Sequence, residues 1–170
     1  MAGGMGRGYG RRMDSDAFVP ADFVPPTSLA HERFRLEPLG PQHNAADLAA
    51  WTSSIAHIRA TPGYPDGSWP PPEGMTPERN RQDLERHAAD FAARRGFTFT
   101  VLDPEGGDVI GCVYIYPTPS DEHDAEVQSW MRASHAELDG PLAGPSRSGS
   151  PRTGPGTGCT ATGGDERRSG

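Results

Sequence analysis

No lysine occurs in this chain of 170 residues, and all sixteen of its basic residues are arginine. Together with the richness in alanine, glycine and proline, this absence indicates a GC-rich coding bias rather than a function. Acidic residues leave a net charge of -7, which argues against a nucleic-acid-binding surface as the main role. Only two cysteines are present, Cys112 in an apolar segment and Cys159 in a polar one. They predict neither a disulfide framework nor a metal site.

Long apolar runs are missing as well. No segment approaches the length of a transmembrane helix, and no apolar signal core follows the N-terminal arginines, so we expect a cytoplasmic protein without a membrane partner. Hydrophobic residues make up 34%, while 22 Gly and 18 Pro are concentrated at the two ends and in one internal loop. We predict a disordered leader over residues 1–27, one domain over 28–142 and a disordered tail over 143–170. The oligomeric state stays open.

The centre of the chain, residues 97–132, has the pattern of three successive strands. Residues 97–102 alternate with a period of two, and residues 108–116 form the near-continuous apolar run of a strand covered on both faces. The Asp-Pro-Glu-Gly-Gly sequence between them predicts a tight hairpin. The third strand is predicted over 124–132, and an alternating segment over 31–39 predicts a strand that precedes the helices.

Two helices are predicted before the central strands. Apolar residues recur at three- and four-residue steps over residues 45–58, and a second helix over 76–95 has Thr76 as its cap, Pro77 in the first position and Gly96 just past its end. We expect four sheet residues to pack beneath four helix residues, namely Phe99, Val101, Val113 and Ile115 beneath Leu84, Phe91, Leu48 and Trp51. Pairs four residues apart, Arg81–Glu85, Arg86–Asp90 and Asp90–Arg94, predict a solvated face.

Several polar or aromatic positions allow a functional interpretation beside a structural one. Trp51 and His57 fit core and helix-end roles better than substrate contact, and His87 is expected to pack rather than to catalyse. The Pro- and Gly-rich loop over 61–74 is a structural loop, a proline-rich ligand or a cover over a substrate. The acidic loop over 121–124 can bind a cation, although a solvated strand connector is favoured.

The order strand, helix, proline-rich loop, helix and three strands resembles the N-terminal half of the GNAT superfamily of acyl-CoA-dependent N-acyltransferases. The resemblance covers residues 28–142 and is closest to small bacterial members. It rests on four segments taken together: FRLEPL (34–39), WPPPEGMT (69–76), VIGCVYIYP (109–117) and AEVQSWMR (125–132). The fold class that it implies is α/β (layered α+β), with a mainly antiparallel mixed sheet and flanking helices, incomplete at the C-terminal side.

The resemblance implies an N-acetyltransferase that uses acetyl-CoA and a small-molecule amine. The strand over 124–132 would offer main-chain groups to the pantetheine arm, and the loop after it would hold the pyrophosphate on backbone amides. The implied cofactor-binding residues are Trp130, Met131, Arg132, Ala133 and Ser134. Glu126 is the residue that could deprotonate the amine, and an exposed strand carboxylate is its alternative interpretation.

The loop after this strand departs from the family pattern, which is Arg or Gln, two residues, Gly, one residue, then Gly or Ala. Arg132 matches its start, but His135 and Glu137 stand where the two small residues belong, and a glutamate there would repel the pyrophosphate. A shifted reading frame over 144–155 can encode an amphipathic helix, so we expect a frameshift or truncation after about residue 142. The alternative function is therefore a non-catalytic remnant or interaction fragment, and we expect the chain as written to bind acetyl-CoA poorly.

Overall fold

The computed structural model describes residues 19–61, 68–118 and 124–143, which form one antiparallel sheet of five strands with helices around it. The strands lie in sequence order, each paired with its neighbours along the chain. They are β1 (Leu29–His31), β2 (Phe34–Pro38), β3 (Phe97–Leu102), β4 (Val109–Pro117) and β5 (Ala125–Met131). The α-helices are α1 (Asn44–Thr52), α2 (Ile55–Ala60), α3 (Pro77–Ala92) and α4 (Asp139–Ala143), and 3-10 helices span Pro41–His43 and Ala133–Leu138.

The predicted N-terminal strand and helix each consist of two elements. The segment over 31–39 belongs to a hairpin in which His31 pairs with Phe34, so that β1 precedes β2. The helix predicted over 45–58 ends at Thr52, and α2 begins at Ile55. Here the hydroxyls of Thr52 and Ser53 donate to the carbonyls of Leu48 and Ala50. Such bonds compete with the helical backbone pattern and explain the break.

The helix α3 begins as predicted, because the side chain of Thr76 accepts from the backbone N–H of Arg79. Its end differs from the prediction. Arg94, not a glycine, adopts the left-handed conformation with φ 56°. Gly96 is needed for another reason, since a Cβ there would lie 2.3 Å from the ring of Tyr116. The glycine therefore allows β4 to bring an aromatic ring against the entry to β3.

The link between β3 and β4 is the predicted hairpin. The carboxylate of Asp103 accepts from the backbone amides of Glu105 and Gly106, which lower the pKa of that carboxyl. Gly107 has φ +73°, a conformation that side chains with a Cβ rarely adopt. The turn is thus closed by the residue types that the sequence places there.

The core has two clusters, and the predicted assignment of residues to them is partly wrong. Helix residues Trp51 and Leu84 pack with Leu102, Cys112 and Trp130. The second cluster comprises Phe34, Val101, Ile110, Val113, Met131 and Leu138, with Ile115 packed against it. Val101, Val113 and Ile115 therefore do not lie beneath Trp51 and Leu84. The alternation was predicted correctly, but the two faces of the strands were assigned to the wrong cluster.

One part of that prediction, the packing of Phe99 against Phe91, is borne out. The ring of Phe91 meets the rings of Phe97 and Phe99 edge-on, at centroid distances of 5.1 and 5.5 Å. Of the predicted charge pairs, Arg81–Glu85 forms at 3.0 Å. Arg86 contacts Asp83 instead of Asp90, and Asp90 pairs with Arg95. This face of α3 is solvated around Arg81 and Glu85, as predicted. The charges of the other two predicted pairs have different partners.

A buried polar network joins α1 to α3. The Asn80 side chain donates to Asp47 at 3.1 Å and accepts from the Trp51 indole at 3.0 Å. Asp47 is 4% exposed. Burial, and then the charge of Asp83, raise the pKa of Asp47 to about 6. The network holds α1 against α3. It includes the carboxyl group of Asp47, whose ionisation costs free energy because the group is buried.

The predicted leader and tail lie mostly outside the described residues. In the described part of the leader, Phe23 stands near Phe97, with ring centroids 6.1 Å apart, and its carbonyl accepts from Arg94. The tail beyond residue 143, including Cys159, is outside the described ranges. Among helices of the described residues, none is both long and apolar enough to span a membrane.

Candidate active site

A cavity of about 370 Å³ lies between α3 and the strands β4 and β5. We call it the strand–helix cavity. Ligand pockets in proteins have volumes of roughly 300–1,000 Å³, so it is large enough for a small substrate. Its lining residues are Trp69, Asp83, Arg86, His87, Tyr114, Tyr116, Glu126 and Gln128.

Two periodicities bring these side chains together. Arg86 and His87 come three and four residues after Asp83. All three side chains therefore lie on one face of α3. On the sheet, Tyr114 pairs with Gln128 and Tyr116 pairs with Glu126, so all four project to one side. The cavity is thus formed where a polar helix face meets the polar side of two paired strands.

Trp69 closes one side of the cavity from the loop that precedes α3. Its ring lies between those of Trp51 and Trp130, at centroid distances of 5.7 and 5.8 Å. The carbonyl of the next residue, Pro70, accepts from Arg59 at 2.8 Å. Of the interpretations of the loop over 61–74, the structural loop fits these contacts of Trp69 with the core, and the same residue also lines the cavity. Residues 62–67 lie outside the described ranges.

A chain of hydrogen bonds runs from the cavity into the protein. Nδ1 of His87 lies 2.8 Å from the hydroxyl of Tyr116 and 3.1 Å from that of Thr98, and the Tyr116 hydroxyl donates to Asp90 at 3.1 Å. Burial lowers the pKa of His87 and raises that of Tyr116. Both rings are therefore held in their neutral forms near neutral pH.

Glu126, the predicted proton acceptor, lies at the rim of the cavity. It is an exposed residue, and its Oε1 accepts from the side-chain amide of Gln128 at 2.8 Å. Asp83, the other carboxylate of the cavity, contacts the guanidinium of Arg86. In the described ranges, Glu126 is accordingly the carboxylate of this cavity that has no cationic partner.

The predicted cofactor residues do not form one exposed group. Trp130 and Met131 are fully buried, and the Trp130 indole donates to Tyr114 at 3.1 Å. The amide of Ala133 donates to the Ser54 hydroxyl at 2.9 Å. Ser134 is exposed and its hydroxyl contacts His135, while Arg132 is half-buried. The side chains at 130 and 131 therefore serve the core, so a ligand could meet only main-chain groups at this part of β5.

The outer edge of β5 offers such groups. Arg132 donates its backbone N–H to Ile110 at 2.8 Å, and antiparallel ladders alternate between bonded and non-bonded pairs. The N–H and C=O of Val127, Ser129 and Met131 therefore point away from β4. No strand of the described chain pairs with this edge.

These residues fit one part of acetyl-CoA and not another. An open strand edge suits the amide-bearing pantetheine arm, which the resemblance places there. The pyrophosphate would need free amides after β5, yet Ala133 donates to Ser54 and His135 donates to the carbonyl of Arg132. The 3-10 helix there also has non-helical geometry at His135. The segment after β5 therefore lacks a preformed pyrophosphate cradle at these two amides.

The remaining predicted sites give no binding group. The described residues include no cluster of three or more His, Cys, Asp or Glu side chains suited to a metal ion. Residues 121–123 of the acidic loop lie outside the described ranges. His57 binds Asp139 at 2.8 Å and ties α2 to α4. Cys112 is fully buried, and burial raises the pKa of its thiol, so it is a core residue.

Sequence reasoning missed most of the cavity. Asp83, Tyr114 and Tyr116 were not singled out, and His87 was assigned to packing. The spacing of Asp83 and His87 on one helix face was a usable signal. Nothing in the sequence indicated that this face would meet β4 and β5.

The described part of the chain has the fold of the GNAT acyl-CoA N-acyltransferases: helices flank an antiparallel sheet that ends at β5. It is similar to a ribosomal-protein-S5-alanine acetyltransferase from Vibrio fischeri, with TM-score 0.50 and 16% identity over 65% of this chain and 58% of that chain. It is also similar to RimL, a ribosomal L7/L12 alpha-N-protein acetyltransferase, with TM-score 0.51 and 12% identity over 71% of this chain and 66% of that chain.

At these identities the likeness establishes the fold alone, and this chain spans less than two thirds of the length of either protein. No protein-family model and no curated protein matches the sequence. The predicted fold class is confirmed. The chain corresponds to only part of the length of the similar structures, which agrees with the prediction of an incomplete fold.

Proposed function

We propose that this chain is an N-acetyltransferase that uses acetyl-CoA to acetylate an amine bound in the strand–helix cavity. The observation that carries the proposal is the position of Glu126. Its carboxylate lines the cavity, and its strand, β5, has an outer edge that no described strand occupies. One strand thus offers both an acceptor site and a place for the acyl donor. A cytoplasmic location is part of the proposal.

The cavity suits an ammonium group. Glu126 has no cationic partner in the described ranges, and the aromatic rings of Trp69 and Tyr114 can face a cation. Glu126 then accepts the proton of the amine, directly or through a water molecule. When bound, acetyl-CoA would supply the acetyl group as a thioester. The main chain of Val127, Ser129 and Met131 would hold its pantetheine arm, and Arg132 and Ser134 would contribute side-chain contacts.

The acceptor that we propose is a small-molecule amine, because the cavity is lined on several sides and holds about 370 Å³. The similar structures are named for ribosomal proteins, so a protein N-terminus is the competing acceptor. Thiol release from acetyl-CoA should be measured with benzylamine and with a short peptide that has a free N-terminal alanine. Faster turnover of benzylamine supports the small-molecule assignment, and faster turnover of the peptide reverses it.

The role of Glu126 is tested by a pair of variants. Glu126→Gln should lower kcat/KM about 10²–10⁴-fold, the usual contribution of a positioned proton acceptor. Glu85→Gln is the matched control, because Glu85 lies on the exposed face of α3 with Arg81. Equal rates for both variants would remove Glu126 from the mechanism.

The missing pyrophosphate cradle gives a second test. If the amides after β5 contribute little, S-acetylpantetheine should replace acetyl-CoA with a similar kcat/KM. A large preference for acetyl-CoA would show that the segment after β5 rearranges to bind the pyrophosphate.

The second candidate function is the non-catalytic remnant or interaction fragment of a frameshifted acetyltransferase gene. The occupied amide of Ala133 favours it. Titration calorimetry with acetyl-CoA separates the two, beside a variant chain whose reading frame is restored after residue 142. Binding by the 170-residue chain supports the enzyme. Binding by the restored chain alone supports the remnant, whereas binding by neither contradicts the acetyltransferase assignment.

A further inference from the structure

His87 lies on the inner wall of the strand–helix cavity and is 8% exposed. One nitrogen of its ring, Nδ1, is within hydrogen-bond distance of two hydroxyls, those of Tyr116 and Thr98. Among the described residues, the charged atom near the other nitrogen, Nε2, is Oδ2 of Asp83 at 3.8 Å. That distance is too long for a hydrogen bond. The two sides of the ring therefore have very different surroundings.

The positions of the protons follow from Asp90. Its carboxylate oxygens accept hydrogen bonds, and Arg95 donates to Oδ1 at 3.0 Å. The hydroxyl of Tyr116 donates to Oδ2 of Asp90. Tyr116 has one proton, so it cannot also donate to His87. The 2.8 Å contact between the Tyr116 oxygen and Nδ1 is a hydrogen bond only if Nδ1 carries the hydrogen.

A neutral ring with its hydrogen on Nδ1 has a lone pair on Nε2. That lone pair and Oδ2 of Asp83 are two acceptors 3.8 Å apart, with no donor between them among the described residues. Two acceptors at this separation can share one N–H donor. The cavity therefore contains a second position for an amine, distinct from the carboxylate of Glu126.

We infer that His87 is a catalytic residue of this cavity and takes a proton from the acceptor amine on Nε2, with Tyr116 and Asp90 as positioning residues. The inference rests on the proposed acetyltransferase function and adds a named residue to it. Glu126 takes one proton of the ammonium; once the amine nitrogen has bonded to the acetyl carbon and the thiolate of the donor leaves, a second N–H bond breaks and its electron pair stays on that nitrogen. The proton forms a new bond to Nε2, and the resulting imidazolium is attracted by Asp83.

The surrounding charges suit this role. Burial lowers the pKa of His87, and the guanidinium of Arg86 lowers it further, so the ring is free to accept a proton at neutral pH. Asp83 and Asp90 act in the opposite direction and stabilise the imidazolium once it forms. The other titratable groups that line the cavity are Tyr114 and Tyr116 on β4 and Glu126 on β5.

Nitrogen-15 NMR of the histidine rings tests the proton positions in the 170-residue chain without any need for activity. We expect Nδ1 of His87 to appear as a protonated nitrogen and Nε2 as an unprotonated one. Addition of benzylammonium should shift the Nε2 resonance. The opposite tautomer, or an Nε2 resonance that benzylammonium leaves unchanged, would overturn the inference. In Tyr116→Phe, Thr98 is the hydroxyl left beside Nδ1, so the fraction of the ring with its hydrogen on Nδ1 should fall.

Kinetics then test the chemical role. His87→Asn retains a donor near the position of Nδ1 but has no Nε2, and we expect kcat/KM to fall about 100-fold or more, with loss of the acidic limb of its pH profile. His31→Gln, on the exposed strand β1, is the matched control and should leave the profile unchanged. A wild-type profile in His87→Asn overturns the inference while leaving the proposed function intact. No turnover by the wild type contradicts the proposed function, and the NMR result then decides whether the proton arrangement holds.

Discussion

The two core clusters lie on opposite sides of the sheet and differ in chemistry. The cluster around Ile110 and Met131 is apolar throughout. The side beneath α1 and α3 contains Asp47, Asn80 and His87, all at least 91% buried. The first side buries mainly apolar surface and contributes stability, whereas the second side keeps buried polar groups, one of which, His87, lines the cavity.

The largest effect is expected on the apolar side. Ile110→Ala should lower the free energy of unfolding by roughly 2–5 kcal/mol, because Ile110 is 1% exposed and its loss leaves a void. Urea denaturation measures the change. The histidine NMR signals of the folded variant should stay those of the wild type. A shifted His87 tautomer in Ile110→Ala would show that the two sides are coupled and would break the comparison.

On the polar side, Asp47→Asn should stabilise the protein at pH 7.5. The pKa of Asp47 is about 6 in the folded state, against an ordinary value of 3.8 for an aspartate exposed to water. The folded state therefore binds the proton more tightly, and stability is lost as the pH rises from about 4 to 6. Above that pH window, the ionised Asp47 lowers the free energy of unfolding by about 3 kcal/mol. Below pH 3.8 this loss of stability is absent.

Because the new amide has an additional donor to satisfy, we expect a net gain of about 1–2 kcal/mol at pH 7.5. Asp108→Asn, an exposed carboxylate, serves as the control. Thermal melts at pH 4 and pH 7.5 should show the gain only at the higher pH. An equal change at both pH values would mean that ionisation of Asp47 is not the cause.

A smaller gain is expected from Thr100→Val. The hydroxyl of Thr100 is fully buried and has no hydrogen-bond partner in the described ranges. Valine has the same shape without the polar atom, so the variant should gain about 1 kcal/mol. Thr98→Val is the contrasting variant, since Thr98 contacts His87, and it should lose a similar amount. Denaturation midpoints of the two variants should move in opposite directions.

The smallest effect is expected outside both clusters. Arg81 and Glu85 form an ion pair on the exposed face of α3, with Arg81 63% exposed. Arg81→Ala should cost only a few tenths of a kcal/mol, since water and salt screen such pairs. A loss above about 1 kcal/mol would mean that this face is covered in solution.

The sequence by itself determined the elements and their local chemistry. A two-residue period identified β3, an apolar run identified β4, and Thr76 with Pro77 marked the start of α3, because these signals arise within a few neighbouring residues. The turn at Asp103 could be predicted from the sequence for the same reason. The resemblance in four short segments also led to the correct fold class, and it selected Glu126 before its position in the cavity was known.

Only the tertiary structure decided which side of the sheet the helices cover. Periodicity states that Phe99 and Val101 share one side of their strand, but either side can face Trp51. The cavity likewise depends on contacts between different elements, such as that of His87 with Tyr116, 29 positions later. The occupied amide of Ala133 depends on Ser54, 79 positions earlier. Such contacts follow from the packing of whole elements, and no local pattern in the chain encodes them.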